Sequence, residues 1–264
     1  MSETANQLGR IAAVFDIDGT LLPPPSLELR LVAHLALQRE LRLSAIVHWL
    51  RTLVPRILWM PRGNRKVPAR PLTLDETKSY LAGERIGAVE EWIERRFAEL
   101  EFFSEALVTV EWHRQRGHAI VLVSGTLAPL ARAVGSISAR GGERYVCATE
   151  LERDGGVWTG RVDGEAICGP AKERALVRMA DKHHFDLKRS YAYADSMKDR
   201  WMLGAVGHPI AVNPSPLLAQ HARRYGWHLV SWNKRAHAPE PAKCAPFSST
   251  VNERQDFAEK LSWK

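Results

Sequence analysis

Cysteine is scarce in this sequence, with only Cys147, Cys168 and Cys244 among 264 residues. The number is odd and no pair has C-x-x-C spacing, which argues against a disulfide framework or a thiolate zinc site. A reduced, cytoplasmic setting is expected. Long apolar runs are also missing: no stretch reaches the roughly 18 uncharged apolar residues that a spanning helix requires. The opening Met1–Gln7 has neither a basic nor an apolar segment, so no signal peptide is expected. There is no internal repeat. Acidic residues are absent between positions 49 and 70, where Arg51, Arg56, Arg62, Arg65, Lys66 and Arg70 gather around Trp49, Trp59 and Met60.

That basic stretch has two readings: tryptophans packed beneath solvated arginines, or a face in peripheral contact with an anionic membrane or lipid phosphate. No nucleic-acid motif accompanies the charge, so no nucleic-acid partner is expected. The whole chain carries a formal charge of +7, which suits a phosphorylated substrate, a polyanion or an anionic surface without choosing among them. Its length and its 45% apolar content suit one large globular domain, or a core with a smaller cap.

Along the chain, Arg10–Phe15 forms a short apolar run that stops at Asp16-Ile17-Asp18-Gly19-Thr20. A buried strand ending in a polar loop is the plain reading. The proline run Pro23–Pro25 cannot be regular helix and reads as a linker. Helical patterning follows from 27 to 60, again over 74–81 and 86–100, with a proline-rich loop at 61–71. Residues 26–102 thus read as an all-helical insertion. Beyond it, strands at 119–123, 145–151, 190–194 and 209–212 alternate with helices near 104–115, 127–134, 170–182 and 198–203. Turn signals at Gly155-Gly156 and Asp163-Gly164 suggest a hairpin over 156–168. The pattern predicts an α/β fold with a parallel sheet covered on both faces. Its domains would be a core of 1–25 with 103–232, a helical cap of 26–102, and a tail of 233–264 that is polar and loose.

Ligands in such sheets bind beyond the carboxyl ends of the strands. There the sequence puts Asp16 with Asp18, then Ser124, then Asp195. Two carboxylates two residues apart at a strand end point the same way and repel. A divalent cation with oxygen ligands relieves this, and magnesium fits; Asp195 would complete the site. Asp199, a helical turn on, would orient those ligands. A carboxylate that attacks a phosphate needs further cations, and Lys172 after Pro170 is a candidate. Ser124, with the amides of Gly125 and Thr126 at a helix start, would hold phosphate oxygens. Asp18 would protonate the leaving group and later activate water.

These residues resemble the motifs of the haloacid dehalogenase (HAD) superfamily. Asp16–Thr20 resembles motif I, Val123–Thr126 motif II, Lys172 motif III and Tyr193–Asp199 motif IV, in order across residues 10–213. The insertion resembles the C1 cap of the phosphoserine phosphatase-like branch (subfamily IB), and Pro209–Pro214 resembles a strand end of that branch. The resemblance implies a Rossmann-like HAD core and a magnesium-dependent phosphatase. Asp16 would be the nucleophile and Asp18 the acid/base. Ser124, Gly125 and Lys172 would hold the phosphate, and Asp16, the Asp18 carbonyl and Asp195 the Mg2+. Asp18 also favours phosphate over carbon–halogen chemistry. Phosphoserine phosphatases usually carry a glutamate nine positions after the nucleophile; here Pro25 stands there, with Glu28 nearby but out of register. The resemblance therefore implies a small phosphorylated substrate and leaves its identity open. A phosphotransferase on the same site, or a basic membrane- or RNA-binding protein with a vestigial core, are the alternatives.

Overall fold

The structure, a computed structural model, describes residues 9–37, 78–138 and 143–237. Strand β1 (Ala12–Phe15) has all four residues buried, as an apolar run covered on both faces should. It lies at the middle of a six-stranded parallel sheet with β3 (Ala119–Leu127), β4 (Arg144–Thr149), β7 (Tyr191–Ala194), β8 (His208–Val212) and β9 (His228–Val230), in the order β4-β3-β1-β7-β8-β9. The chain leaves β1 toward β3 on one side and later returns to β7 on the other. The crevice between β1 and β7 is therefore the point where strand order reverses, the usual ligand position in an open parallel sheet.

Alternation of side chains along the strands divides the core. Ala13 and Phe15 of β1, with Ile120 and Leu122 of β3, join one cluster; Ala12, Val14, Ala119 and Val121 join the other. The first cluster is covered by helices α1 (Leu27–Leu37), α2 (Ile86–Arg96), α3 (Ser104–Gln115) and α4 (Ala128–Ser138). The second is covered by α5 (Pro170–His183), α6 (Arg200–Gly204) and α7 (Pro216–Tyr225). Helix α5 starts sharply because Gly169 takes φ 55° ahead of Pro170, which suits the first helical position. No helix among the described residues is long and apolar enough to cross a membrane.

The structure departs from the sequence expectations in three places. The strand expected through Leu151 breaks after Thr149, and Leu151 begins a hairpin of β5 (Leu151–Asp154) and β6 (Val157–Val162). Gly155 and Gly156 both take positive φ, which matches the twist of a two-residue hairpin loop; the second glycine turn, at Gly164, lies beyond the hairpin. Within the expected helical insertion, Ser79–Leu81 and Phe97–Glu99 are single 3-10 turns, and β2 (Glu101–Phe103) is a strand. The expected boundary at 102 and 103 thus falls inside β2, because Phe102 and Phe103 are both buried in the core. The segment expected to be loose begins with β10 (Arg235–His237), which pairs antiparallel with β2 and adds an ion pair between Arg235 and Glu101 at 3.2 Å. Residues 38–77, with the basic stretch and the helix expected there, lie outside the described residues, as do 238–264.

Leu31 is fully buried where α1 meets the sheet. Replacing it by alanine should lower the unfolding free energy by about 2–5 kcal/mol in urea titrations followed by tryptophan fluorescence. A loss below about 0.5 kcal/mol, the range of an ordinary surface change, would show that α1 does not pack as described.

Candidate active site

The carboxyl ends of β1 and β7 are locked side by side. The Phe15 and Tyr193 rings stack with centroids 4.6 Å apart and planes 7° from parallel. Asp16 N then donates to Tyr193 O at 3.0 Å, which carries the ladder one residue beyond β1. After Asp16 the chain folds tightly: the amides of Thr20, Leu21 and Leu22 all point at Ile17 O. Gly19 takes φ 82°, and a Cβ there would stand 2.3 Å from Asp195 Oδ2. Only glycine suits both the backbone angle and the approach of that carboxylate.

Helix α5 delivers Lys172 in its first turn, where the residue is 5% exposed. Its Nζ donates to Asp16 Oδ1 at 2.7 Å and to Asp199 Oδ1 at 2.5 Å. Asp16, Asp195 and Asp199 each present a carboxylate oxygen, and these oxygens lie within 4.8 Å of one another. Two unit charges at about 4 Å repel by roughly 4 kcal/mol at an effective dielectric near 20. Burial and this repulsion both shift the carboxyl pKa values. Burial pushes the Asp16 carboxyl up to about 7; the Lys172 charge pulls the other way and the Asp199 charge adds to the rise. Burial also pushes Asp195 up to about 8, with the Asp16 and Asp199 charges contributing. For Lys172, burial disfavours the charged form, but the two aspartates together outweigh it and its pKa rises.

One lysine cannot neutralise three carboxylates. The donor set is all hard oxygen, in a crevice where like charges are costly, and it fits a divalent cation such as Mg2+. Asp199, expected only to orient ligands, contributes its own oxygen to this group and binds Lys172. The Asp18 carboxylate is not part of the group. Its Oδ1 accepts from Leu27 N at 2.7 Å, at the start of α1, and its Oδ2 from Thr126 Oγ1 at 2.6 Å. It is thereby oriented from the opposite wall.

That wall is formed by the end of β3. The pairing with β4 runs Ser124 against Ala148 and then Leu127 against Thr149, so Gly125 and Thr126 are extra residues that bulge from the ladder. Their amides were expected at a helix start; they belong to this bulge, ahead of α4 at Ala128. Asp16, Asp18, Ser124, Gly125, Lys172, Asp195 and Asp199 all line one cleft of about 360 Å³. Ser26, Cys168, Ser196 and Lys198 line it too. Sequence reasoning had not marked these four. Ser196 and Lys198 lie inside the motif around Asp195, while Ser26 and Cys168 carry no signal beyond proximity to Asp18 and Lys172.

Comparison with known proteins points the same way. The haloacid dehalogenase-like hydrolase family matches residues 13–204. A Streptomyces azureus protein named for inhibition of morphological differentiation is 28% identical over 239 residues, covering 87% of this chain and 81% of that protein. A phosphoserine phosphatase of Mycobacterium tuberculosis is 27% identical over 219 residues, 83% of this chain and 70% of its own length. A solved structure of a Bordetella pertussis protein of unknown function has a TM-score of 0.62 at 27% identity, over 84% of this chain and 98% of that one.

The raised carboxyl pKa values set a pH dependence for the metal-free protein. An unfolded aspartate has a pKa of about 3.9, whereas burial pushes Asp16 and Asp195 up to about 7 and about 8 in the fold. Between these limits the two carboxyls hold more protons in the folded state than in the unfolded one, so their contribution to stability falls as pH rises. His113, whose pKa burial lowers, works the other way below about pH 6.5, so in thermal melts with a chelator Tm should drop between about pH 6.5 and about pH 8. Mg2+ should raise Tm more at the alkaline end, because protons compete for the same oxygens. A Tm that climbs over this range without metal would contradict the assignment.

Proposed function

This chain belongs to the haloacid dehalogenase-like hydrolase family, and on that premise we propose that it hydrolyses small phosphomonoesters through a covalent phosphate on Asp16. The observation that carries the reading is the buried Lys172 bridge between Asp16 and Asp199, at the base of a cleft that also holds Ser124 and Gly125. A buried cation beside a carboxylate is what phosphoryl transfer to that carboxylate needs, since attack by one anion on another is otherwise opposed by charge. The similarity to a phosphoserine phosphatase supports phosphate as the group handled.

In the proposed reaction an Asp16 carboxylate oxygen attacks phosphorus, and the bond from phosphorus to the leaving oxygen breaks. Asp18, held by Leu27 N and Thr126 Oγ1, gives its proton to that oxygen. Water then attacks the aspartyl phosphate while Asp18 takes a proton from it. The bond from phosphorus to Asp16 breaks, which frees inorganic phosphate and restores the carboxylate. Lys172, Ser124 and the Gly125 backbone hold the phosphoryl oxygens throughout. Asp16, the Asp18 carbonyl and Asp195 would hold Mg2+, with Asp199 supporting them and Lys172. When bound, Mg2+ supplies positive charge that keeps the carboxylates ionised and offsets that of the phosphate.

Two features bear on the substrate. Pro25 stands where phosphoserine phosphatases carry an amine-reading glutamate. The nearby Glu28 is buried and already engaged by Lys78, Tyr80 and Leu127 N. The Glu28 carboxylate is thus taken up by contacts within the protein.

Asp16→Asn is expected to reduce Mg2+-dependent phosphate release from p-nitrophenyl phosphate by about 10³-fold or more. Turnover retained in a folded Asp16→Asn protein would sink the mechanism.

Asp18→Asn removes the proton donor, an effect of about 10²–10⁴-fold. Alkyl phosphates, whose leaving groups need the proton, should lose more rate than the nitrophenyl ester. Equal rates to wild type on both would remove the acid/base role. A one-to-one ratio of alcohol and inorganic phosphate would separate hydrolysis from transfer to another acceptor.

A further inference from the structure

Behind the Ser124–Leu127 wall lie two buried charges that the reaction above does not use. Lys78 is fully buried and Glu28 is 2% exposed, and they form an ion pair. Lys78 Nζ also donates to the Gly125 carbonyl at 2.9 Å. Glu28 Oε1 accepts from Leu127 N at 2.7 Å, and its Oε2 from the Tyr80 hydroxyl at 2.8 Å. The pair therefore grips the bulge at two points, a carbonyl on Gly125 and an amide two residues later.

The consequence follows from peptide geometry. Pro24-Pro25 is the cis bond among the described residues, so the Gly125–Thr126 peptide is trans. In a trans peptide the C=O and N–H point to opposite sides of the chain. With the Gly125 carbonyl held on the Lys78 side, the Thr126 N–H must face the other way. It donates to Ser124 Oγ at 3.3 Å, and Ser124 lines the cleft. Adding positive charge at the carbonyl end also polarises this amide and makes it a better donor.

Stability alone is a weak reason for such a pair. Removing two charges from water costs several kcal/mol per ion, and well-packed apolar residues of the same volume commonly do as well or better. What apolar residues cannot do is fix the tilt of a particular peptide. We propose that Lys78 and Glu28 are positioning residues for phosphate binding. They set the Gly125–Thr126 peptide plane so that its N–H and the Ser124 hydroxyl face the phosphoryl oxygens. The inference rests on the reading that this cleft takes a phosphoryl group. It also gives the inserted region a task at the reaction centre, because Glu28 comes from α1 and Lys78 from the turn before α2.

The test compares wild type with Lys78→Met, with the paired Lys78→Met/Glu28→Gln, and with Leu31→Ala as a control for lost stability. The paired variant keeps the interior neutral, so it remains informative if the single variant folds poorly. Inhibition by orthovanadate and turnover of p-nitrophenyl phosphate are measured below the Tm of each protein. In the folded Lys78 variants, vanadate should bind about 10- to 100-fold more weakly and kcat should fall by a similar factor, less than the roughly 10²–10³-fold seen when a donor to a developing anion is removed outright, because here the donor is misaligned and not lost. Leu31→Ala should keep the wild-type vanadate affinity at a comparable Tm. A paired variant whose vanadate affinity and kcat stay within about twofold of wild type would overturn the positioning role while leaving the phosphatase reading intact. A wild-type protein that neither turns over the ester nor binds vanadate would overturn both.

Discussion

The contact on which the rest depends is the lysine ammonium set between two buried carboxylates at the carboxyl end of the sheet. Lys172 reaches Asp16 from one side and Asp199 from the other, with Asp195 close by. Acids packed this tightly do not persist in a dry crevice unless cations or protons offset them. The rest of the fold can be understood as the scaffold for that cluster. β1 and β7 present Asp16 and Asp195 side by side, the Phe15–Tyr193 stack fixes their spacing, and Gly169-Pro170 starts α5 where its first turn can deliver Lys172.

The opposite wall is organised by a different principle. It is not a helix terminus but a bulge in β3, tied to α1 and to the turn at 79–81 by polar contacts from behind. Asp18 belongs to this wall rather than to the acid cluster, although it is two residues from Asp16. The two aspartates thus have separate surroundings: one nearly enclosed beside a lysine, the other held by an amide and a hydroxyl. Such a difference suits a nucleophile on one side and a proton carrier on the other.

Much of this was legible from local pattern. The apolar run before Asp16, the Asp-x-Asp-Gly-Thr loop, Ser124 at a strand end, Lys172 after Pro170 and the two acids at 195 and 199 each lie where a strand or helix terminates. Those termini are marked by glycine, proline or a change of polarity. What was misread depends on long-range partners. β2 looked like the end of a helical insertion because its three residues carry no pattern of their own; its strand character comes from pairing with Arg235–His237, more than 130 residues away. The break at Glu150 is similar, since an apolar stretch cannot announce which residue leaves the sheet for a hairpin.

The sequence by itself determined the alternation of strands and helices, the identity of the acids, and their positions at the ends of buried strands, because composition and period are local properties. Tertiary structure alone decided how those acids divide. It put Asp199 in the cluster with Asp16 and Asp195, turned the Asp18 carboxylate toward Leu27 and Thr126, and placed Glu28 and Lys78 behind the bulge. A carboxylate's role depends on which charges and donors surround it within a few ångströms, and those neighbours come from segments that the chain order keeps far apart.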